Sequence, residues 1–413
     1  MSAANRNAQS RPLAAVVVGD VDHGKSTLIG RLLYDTGSLD SERMSDLESS
    51  IGAGGPDFAR VMDALAEERR DRITVDTAQT FFSSAVRDYV LIDVPGHREF
   101  IRNMVTGATK ADLAVAIVDV ERGMGDQTMR HLAILNMIGV QRWVVVVNKM
   151  DLPGQGEKTF ETVAASVRAL AKRLGSEVAA LIPVSAVRGD NVVHPSSDVN
   201  WYRGPSLLAA LDAESVPGER RGTACMPVQD SYDMDGTPVR VGRMLSGSVT
   251  AGTRLRVEPG GGEVEVAHVV RFPEGVVERA EPGESVGLVL AGDASIRRGD
   301  VLADAPLRVE SSVRVRMASL CEKPLRIGET FTMRIGHQEM ECTLGELTRR
   351  VVFGGEIMVV DENPGRAVFF GDIVVGNMMA RNPVAFLPFA QCPELGRLVL
   401  ERGGEAVAVG VVE

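Results

Sequence analysis

A chain of 413 residues that is 44% hydrophobic and 24% charged has the composition of an ordinary folded protein. Its length allows roughly two to four domains with cores that need no disulfide staples. These proportions exclude global disorder and fibrous repeats, and the formal charge of −11 speaks against a general binder of the nucleic-acid backbone.

Met1 to Arg11 is polar and lacks the apolar stretch of a secretory signal, and no run approaches the ~18 apolar residues of a membrane span. A soluble, cytoplasmic protein without membrane association is expected. From Leu13 to about Leu211, short apolar runs alternate with amphipathic stretches: LAAVVV (13–18), YVLIDV (89–94), LAVAIVDV (113–120), WVVVVN (143–148) and ALIPVS (180–185). Continuous apolarity with helical patterns between the runs predicts parallel strands covered on both faces, hence a doubly wound α/β domain over residues 1–216.

Beyond Pro217 the pattern changes to brief Val-rich segments punctuated by Gly, Pro and Asp: VRVGRMLSGSV (239–249), EVEVAHVVRF (263–272) and SVGLVLAG (285–292). A second such set runs from Ser311 to Glu413 and ends in RLVLERGGEAVAVGVV, a hairpin turned at Gly403-Gly404. Two antiparallel β-barrels are predicted, over 217–306 and 307–413. Cys225, Cys321, Cys342 and Cys392 are scattered, with no C-x-x-C pair, and read as reduced thiols.

The chemistry gathers at the ends of the first strands. Gly19-Asp20-Val21-Asp22-His23-Gly24-Lys25-Ser26-Thr27 is a complete G-x-x-x-x-G-K-[ST] signature between a strand and an amphipathic segment. Its glycines let backbone N–H groups face phosphate oxygens, Lys25 neutralises β/γ charge, and Ser26 can ligate Mg²⁺. Of the 45 Lys and Arg residues only six are Lys, so a lysine placed here is informative. Asp93-Val94-Pro95-Gly96-His97 closes the second apolar run. There a carboxylate can hold the Mg²⁺ hydration shell, the Gly96 N–H can sense a γ-phosphate, and His97 can polarise an attacking water.

Asn148-Lys149-Met150-Asp151 follows WVVVVN and carries another of the rare lysines. The Asp151 carboxylate accepts from both N1–H and N2–H₂ of guanine, whereas adenine would leave buried groups unpaired, so the nucleotide is GTP and not ATP. Ser185-Ala186-Val187 supplies backbone N–H groups suited to guanine O6. Between Asp35 and Thr77 lies a long segment rich in charge and Gly, a candidate loop ordered by the γ-phosphate, with Thr74 the candidate to reach Mg²⁺.

In this order these elements look like a translation-factor-class GTPase, the group that contains elongation factor Tu, elongation factor 1-alpha and the GTPase subunit of bacterial sulfate adenylyltransferase. The resemblance covers most of residues 13–215 and is carried by GDVDHGKSTLIGRLLYDTGSL, ALAEERRDRITVDTAQTFFSS, DVPGHREFIRNMVTGATKADLAVAIVDV and QTMRHLAILNMIGVQRWVVVVNKMDL. It implies a GTPase domain followed by two barrels, His97 as the catalytic histidine, Val21 and Ile73 as an apolar gate beside it, and Ser26 and Thr74 as Mg²⁺ ligands.

LIGRLLYDTGSL, ITVDTAQTFF, GDNVV before WYRGPSLL, and EKPLRIGETFTMRIG tilt the resemblance towards the large subunit of sulfate adenylyltransferase. That subunit's role implies a heteromer with a separate small adenylyltransferase subunit, GTP hydrolysis driving adenylyl sulfate synthesis from ATP and sulfate, and slow intrinsic turnover, on the order of 10⁻³ per second, until a partner orders the site. The alternatives are an aminoacyl-tRNA carrier activated by the ribosome, or a GTPase regulating another biosynthetic enzyme. Against the carrier, no Trp or Tyr follows Tyr232 and a single Lys follows Lys172, which is a poor RNA face, although Arg can contact phosphate. Arg72 stands where the group commonly has glycine before the switch isoleucine, so a left-handed backbone there is costly.

Overall fold

The computed structural model describes residues 11–41, 44–45, 47, 58–59, 78–93, 111–215, 222–234, 236–292, 295–354, 357–362 and 364–413. The chain divides into two compact units, one of Met1–Pro217 with Phe353–Met358 and one of Gly218–Val352 with Val359–Glu413.

The first unit is built on β1 (Leu13–Val18), β2 (Ala78–Ser83), β3 (Asp88–Asp93), β4 (Leu113–Asp119), β5 (Arg142–Asn148) and β6 (Glu177–Pro183). They form one sheet in the order β2-β3-β1-β4-β5-β6. All neighbouring pairs are parallel except β2 with β3. Every residue of β1 and of β4 is buried, as strands covered on both faces must be. Among the described residues, helices α1 (Lys25–Asp35), α2 (Asp126–Met137), α3 (Glu157–Leu174) and α4 (Leu207–Asp212) accompany this sheet. The sheet is therefore mostly parallel, as the apolar runs require.

The antiparallel β2 is the strand those runs do not reveal. Its alternation is short, with Thr80 and Phe82 buried and Phe81 exposed. The hairpin that carries it is tied to the end of α4, where the Asp212 carboxylate accepts from the Tyr89 hydroxyl and from Ser84 Oγ at 2.6 Å. Leaving β1 the chain moves towards β3, and leaving β4 it moves towards β5. The crevice at the carboxyl ends of β1 and β4 is thus the topological switch point of an open sheet, where ligands collect.

The second unit holds two closed six-stranded antiparallel barrels. In the first, Arg254–Glu258, Val301–Ala303, Cys225–Met234, Thr237–Arg243, Ser285–Ala291 and Glu263–Arg271 pair in that order, and the last returns to Arg254–Glu258. In the second, Thr330–Ile335, Arg397–Arg402, Glu405–Val412, Arg308–Ser319, Ile373–Phe386 and Gln338–Gly354 close through the pairing of Gln338–Gly354 with Thr330–Ile335. Closure removes the open edges on which such strands would otherwise aggregate.

The final hairpin turns at Gly403 and Gly404, with φ of 62° and 86°. Two successive positive φ values are what a tight two-residue hairpin demands. Each barrel has its own core, around Leu255, Val266 and Leu288 in one and Val315, Met333 and Leu400 in the other. A small shared cluster of Cys225, Val301, Ala385, Cys392 and Leu395 joins them. All four cysteines are free thiols and buried.

Candidate nucleotide site

The loop from Gly19 to Gly24 joins β1 to α1 at the switch point. A side chain at Gly19 would come within 2.7 Å of the Ile117 carbonyl of β4, so only glycine lets the loop leave the sheet at this point. Gly24 has φ of 89°, and a Cβ there would sit 2.4 Å from Asn148 Nδ2. The loop is therefore folded hard against the ends of β4 and β5.

Lys25 curls back over this loop, its ammonium donating to Gly19 O at 2.6 Å and Asp20 O at 3.1 Å. Burial pushes its pKa below the ordinary lysine value, opposed by the charges of Asp93, Asp20 and Asp22. Among the described residues this part-buried ammonium donates to carbonyls alone, which makes it a donor site for phosphate oxygens. Helix α1 begins here with Gly24 as its N-cap, without a side-chain cap and without an acidic residue in the first turn. Its free N–H groups and positive dipole end face the same place. Asp93, the last residue of β3, lies beside β1 in register with Val17 and acts on Lys25.

The base end is assembled from three loops. Asn148 closes β5 and uses both ends of its amide, donating to His23 O at 2.9 Å and accepting from Ala186 N at 3.0 Å. It thereby clamps the phosphate loop to the loop after β6. Lys149 follows in the left-handed region, with φ of 69°, and its ammonium lies 2.7 Å from Asp119 Oδ2. Asp151 Oδ1 accepts from Ser185 Oγ at 2.7 Å, and that hydroxyl in turn accepts from Arg188 N at 3.1 Å. One carboxylate oxygen is thus fixed in orientation before any ligand arrives. Ala186 is buried and Val187 exposed, the Val187 carbonyl accepting from Arg31 of α1 at 3.4 Å.

Gly19 through Thr27, Asp93, Asn148, Lys149, Asp151 and Ser185 through Val187 therefore meet at the carboxyl ends of β1, β3, β5 and β6. Val21 lies on the exposed side of the loop, 42% accessible. His97, Gly96, Ile73, Thr74 and Arg72 lie outside the described residues. Asp119 escaped the motif reading because it sits inside the run LAVAIVDV; the signal that finds it is its register position opposite Asn148. His131, wholly buried in α2 near Asp20 and Lys25, belongs to no motif at all.

A phosphate-bearing nucleotide fits this arrangement, in which an uncapped helix start, a carbonyl-held lysine and a fixed carboxylate converge. For a divalent cation, the Ser26 hydroxyl of α1 and the Asp93 carboxylate supply hard oxygen donors on the elements that flank Lys25.

Residues 11–217 match the elongation factor Tu GTP-binding domain, and residues 312–413 match the GTP-eEF1A C-terminal domain-like family. The chain belongs to the translation-factor-class GTPases. That membership brings guanine-nucleotide binding and GTP hydrolysis to the chain. Among curated relatives of this GTPase, sulfate adenylyltransferase subunit 1 of Aeromonas hydrophila is 34% identical over 400 residues, covering 94% of this chain and 82% of the relative. The Yersinia pseudotuberculosis protein of the same name is 36% identical over 362 residues, covering 82% and 75%. Elongation factor 1-alpha of Natronomonas pharaonis is 35% identical over 409 residues, covering 96% of each chain.

Proposed function

We propose that this GTPase is the GTP-hydrolysing subunit of a sulfate adenylyltransferase, working on a separate adenylyl-transferring subunit. The observation that carries the pathway is the likeness to relatives bearing that name, which spans 94% of the chain and 82% of the relative in the Aeromonas comparison. The nucleotide part rests on the clamp between Asn148, His23 and Ala186 and on the fixed carboxylate of Asp151.

In this reading Asp151 accepts from guanine N1–H and N2–H₂, and the Ala186 and Val187 region meets O6. Lys25 leaves its two carbonyls for the β- and γ-phosphates, where its charge offsets theirs. Mg²⁺, when bound, supplies further charge neutralisation across those phosphates, with Ser26, Thr74 and Asp93 as the residues that would hold it or its water. His97 orients the attacking water, screened by Val21 and Ile73, and Gly96 reports the γ-phosphate. Hydrolysis is exergonic and adenylyl sulfate formation is uphill, so coupling the two through a partner-controlled switch drives ATP and sulfate towards adenylyl sulfate and pyrophosphate. The ATP and sulfate chemistry sits on the partner.

A second reading, a carrier of aminoacyl-tRNA, is favoured by the end-to-end likeness to elongation factor 1-alpha. GTP turnover separates the two. The purified protein is assayed alone, with the candidate adenylyltransferase subunit plus ATP and sulfate, and with charged tRNA. Turnover that rises with the subunit and depends on sulfate is expected. Protection of charged tRNA by the GTP form, without any response to sulfate, would overturn the assignment in favour of the carrier, and no response to either would leave a GTPase that regulates another enzyme.

A further inference from the structure

We propose that Asp119 is a positioning residue of the nucleotide site, holding the Lys149 ammonium so that the lysine's aliphatic stem is laid in place against the base before nucleotide arrives. The inference rests on the reading of this site as one for guanine nucleotides.

Asp119 is the last residue of β4, 2% exposed, and faces Asn148 across the β4–β5 pairing. Both of its oxygens are used. Oδ2 lies 2.7 Å from Lys149 Nζ, and Oδ1 accepts from Glu121 N at 2.8 Å and from Arg122 N at 3.3 Å. Its own N–H is 3.4 Å from Nδ1 of His23 in the phosphate loop. Behind it, Val120 N donates to Asn148 O at 3.1 Å. One buried residue therefore connects three loops, its carboxylate holding the turn after β4 and the base-reading loop and its backbone N–H meeting the phosphate loop.

Burial alone would raise the pKa of this carboxyl, but the Lys149 ammonium and the two backbone amides together hold it below the usual carboxylate range. At neutral pH the pair is ionic. Lys149 in turn depends on it, because a non-glycine residue in the left-handed region is strained and persists only where its surroundings over-determine it. A free lysine would also carry its full rotamer freedom into binding. Fixing the ammonium against Asp119 removes that cost beforehand and leaves the four-carbon stem as a flat apolar wall between Asn148 and Asp151.

The test measures GDP and inosine diphosphate affinity for the full chain by calorimetry. Asp119→Asn keeps an oxygen for the two amides and removes the anion. It is expected to weaken GDP binding by about 10- to 100-fold, the size of a hydrogen bond to a charged group, and inosine diphosphate binding by a similar factor, because the stem meets the ring face both purines share and not the N2 group that Asp151 reads. Lys149→Met keeps the apolar stem and removes the ammonium. In that background Asp119→Asn should cost less than about threefold more. Equal losses from Asp119→Asn in both backgrounds would show a merely structural carboxylate and overturn the proposal. Should Asp119→Asn not fold, Asp119→Glu carries the same comparison in both Lys149 backgrounds, with a smaller loss expected in the Lys149 background alone. Failure of the unaltered protein to bind GDP would instead overturn the guanine reading beneath it.

Discussion

Lys25 shows how much a single residue can decide. Its ammonium is part-buried, its pKa is pushed down by that burial, and its only hydrogen-bond acceptors among the described residues are two carbonyls of its own loop. Carbonyl dipoles satisfy a cation weakly compared with phosphate oxygens, so the resting arrangement stores a preference for an anion. Lys25→Ala removes that preference while leaving the glycines and the start of α1 in place. GDP affinity should fall by about 10²-fold or more, the loss of one to two charge-assisted hydrogen bonds. Equilibrium dialysis against GDP checks this, and affinity within threefold of the unaltered protein would remove Lys25 from the phosphate cradle. The lysine was legible in the sequence because the chain has so few. Its neighbour across the site, Asp119, was not, because a strand-terminal carboxylate has no signature until the register that sets it opposite Asn148 is known.

At the level of elements, α2 is unusual in being buried nearly all round, which places an imidazole where water cannot reach it. His131 is 1% exposed, and neither ring nitrogen has a hydrogen-bond partner among the described residues. Burial lowers its pKa to about 4, with the charge of Asp20 opposing. In the unfolded chain the same imidazole titrates near 6.5, so between pH 6.5 and about 4 the unfolded state binds a proton that the native state refuses. Stability therefore falls as pH drops through that window, by about 3 kcal/mol at its acid end from this group alone. His131→Leu removes the titration, and urea midpoints at pH 7 and pH 4.5 should separate less in the variant than in the unaltered protein. Equal separations would show that the histidine charges freely in the fold. Helix burial of this kind was only partly readable in advance. Runs such as WVVVVN announce β1 and β3 to β6 by continuous apolarity, but β2 has too few alternating residues to stand out. The strand Gln338–Gly354 hides its core residues Cys342, Leu344 and Leu347 among exposed or half-buried Glu, Thr and Arg.

For the molecule as a whole, the barrels and the nucleotide site draw on different residues. Every side chain that builds the site lies between Gly19 and Val187, and the core beneath it comes from the same unit, with Val17, Ile117 and Val146 at its centre. The barrels are held by their own two cores and by the cluster they share, in which Leu395 is fully buried against Cys225 and Val301 of the first barrel and Ala385 and Cys392 of the second. Only four residues separate the last strand of one barrel from the first strand of the next, so this shared cluster is what fixes one barrel against the other. Leu395→Ala should leave a cavity there and cost about 2–5 kcal/mol. The loss should be felt by both barrels, because the cluster belongs to both. GDP affinity should stay within about twofold of the unaltered protein. Calorimetric melting combined with GDP titration reads both quantities. A variant that melts normally would mean that the cluster is not a joint, and one that melts early and also loses GDP would mean that the barrels help to build the nucleotide site.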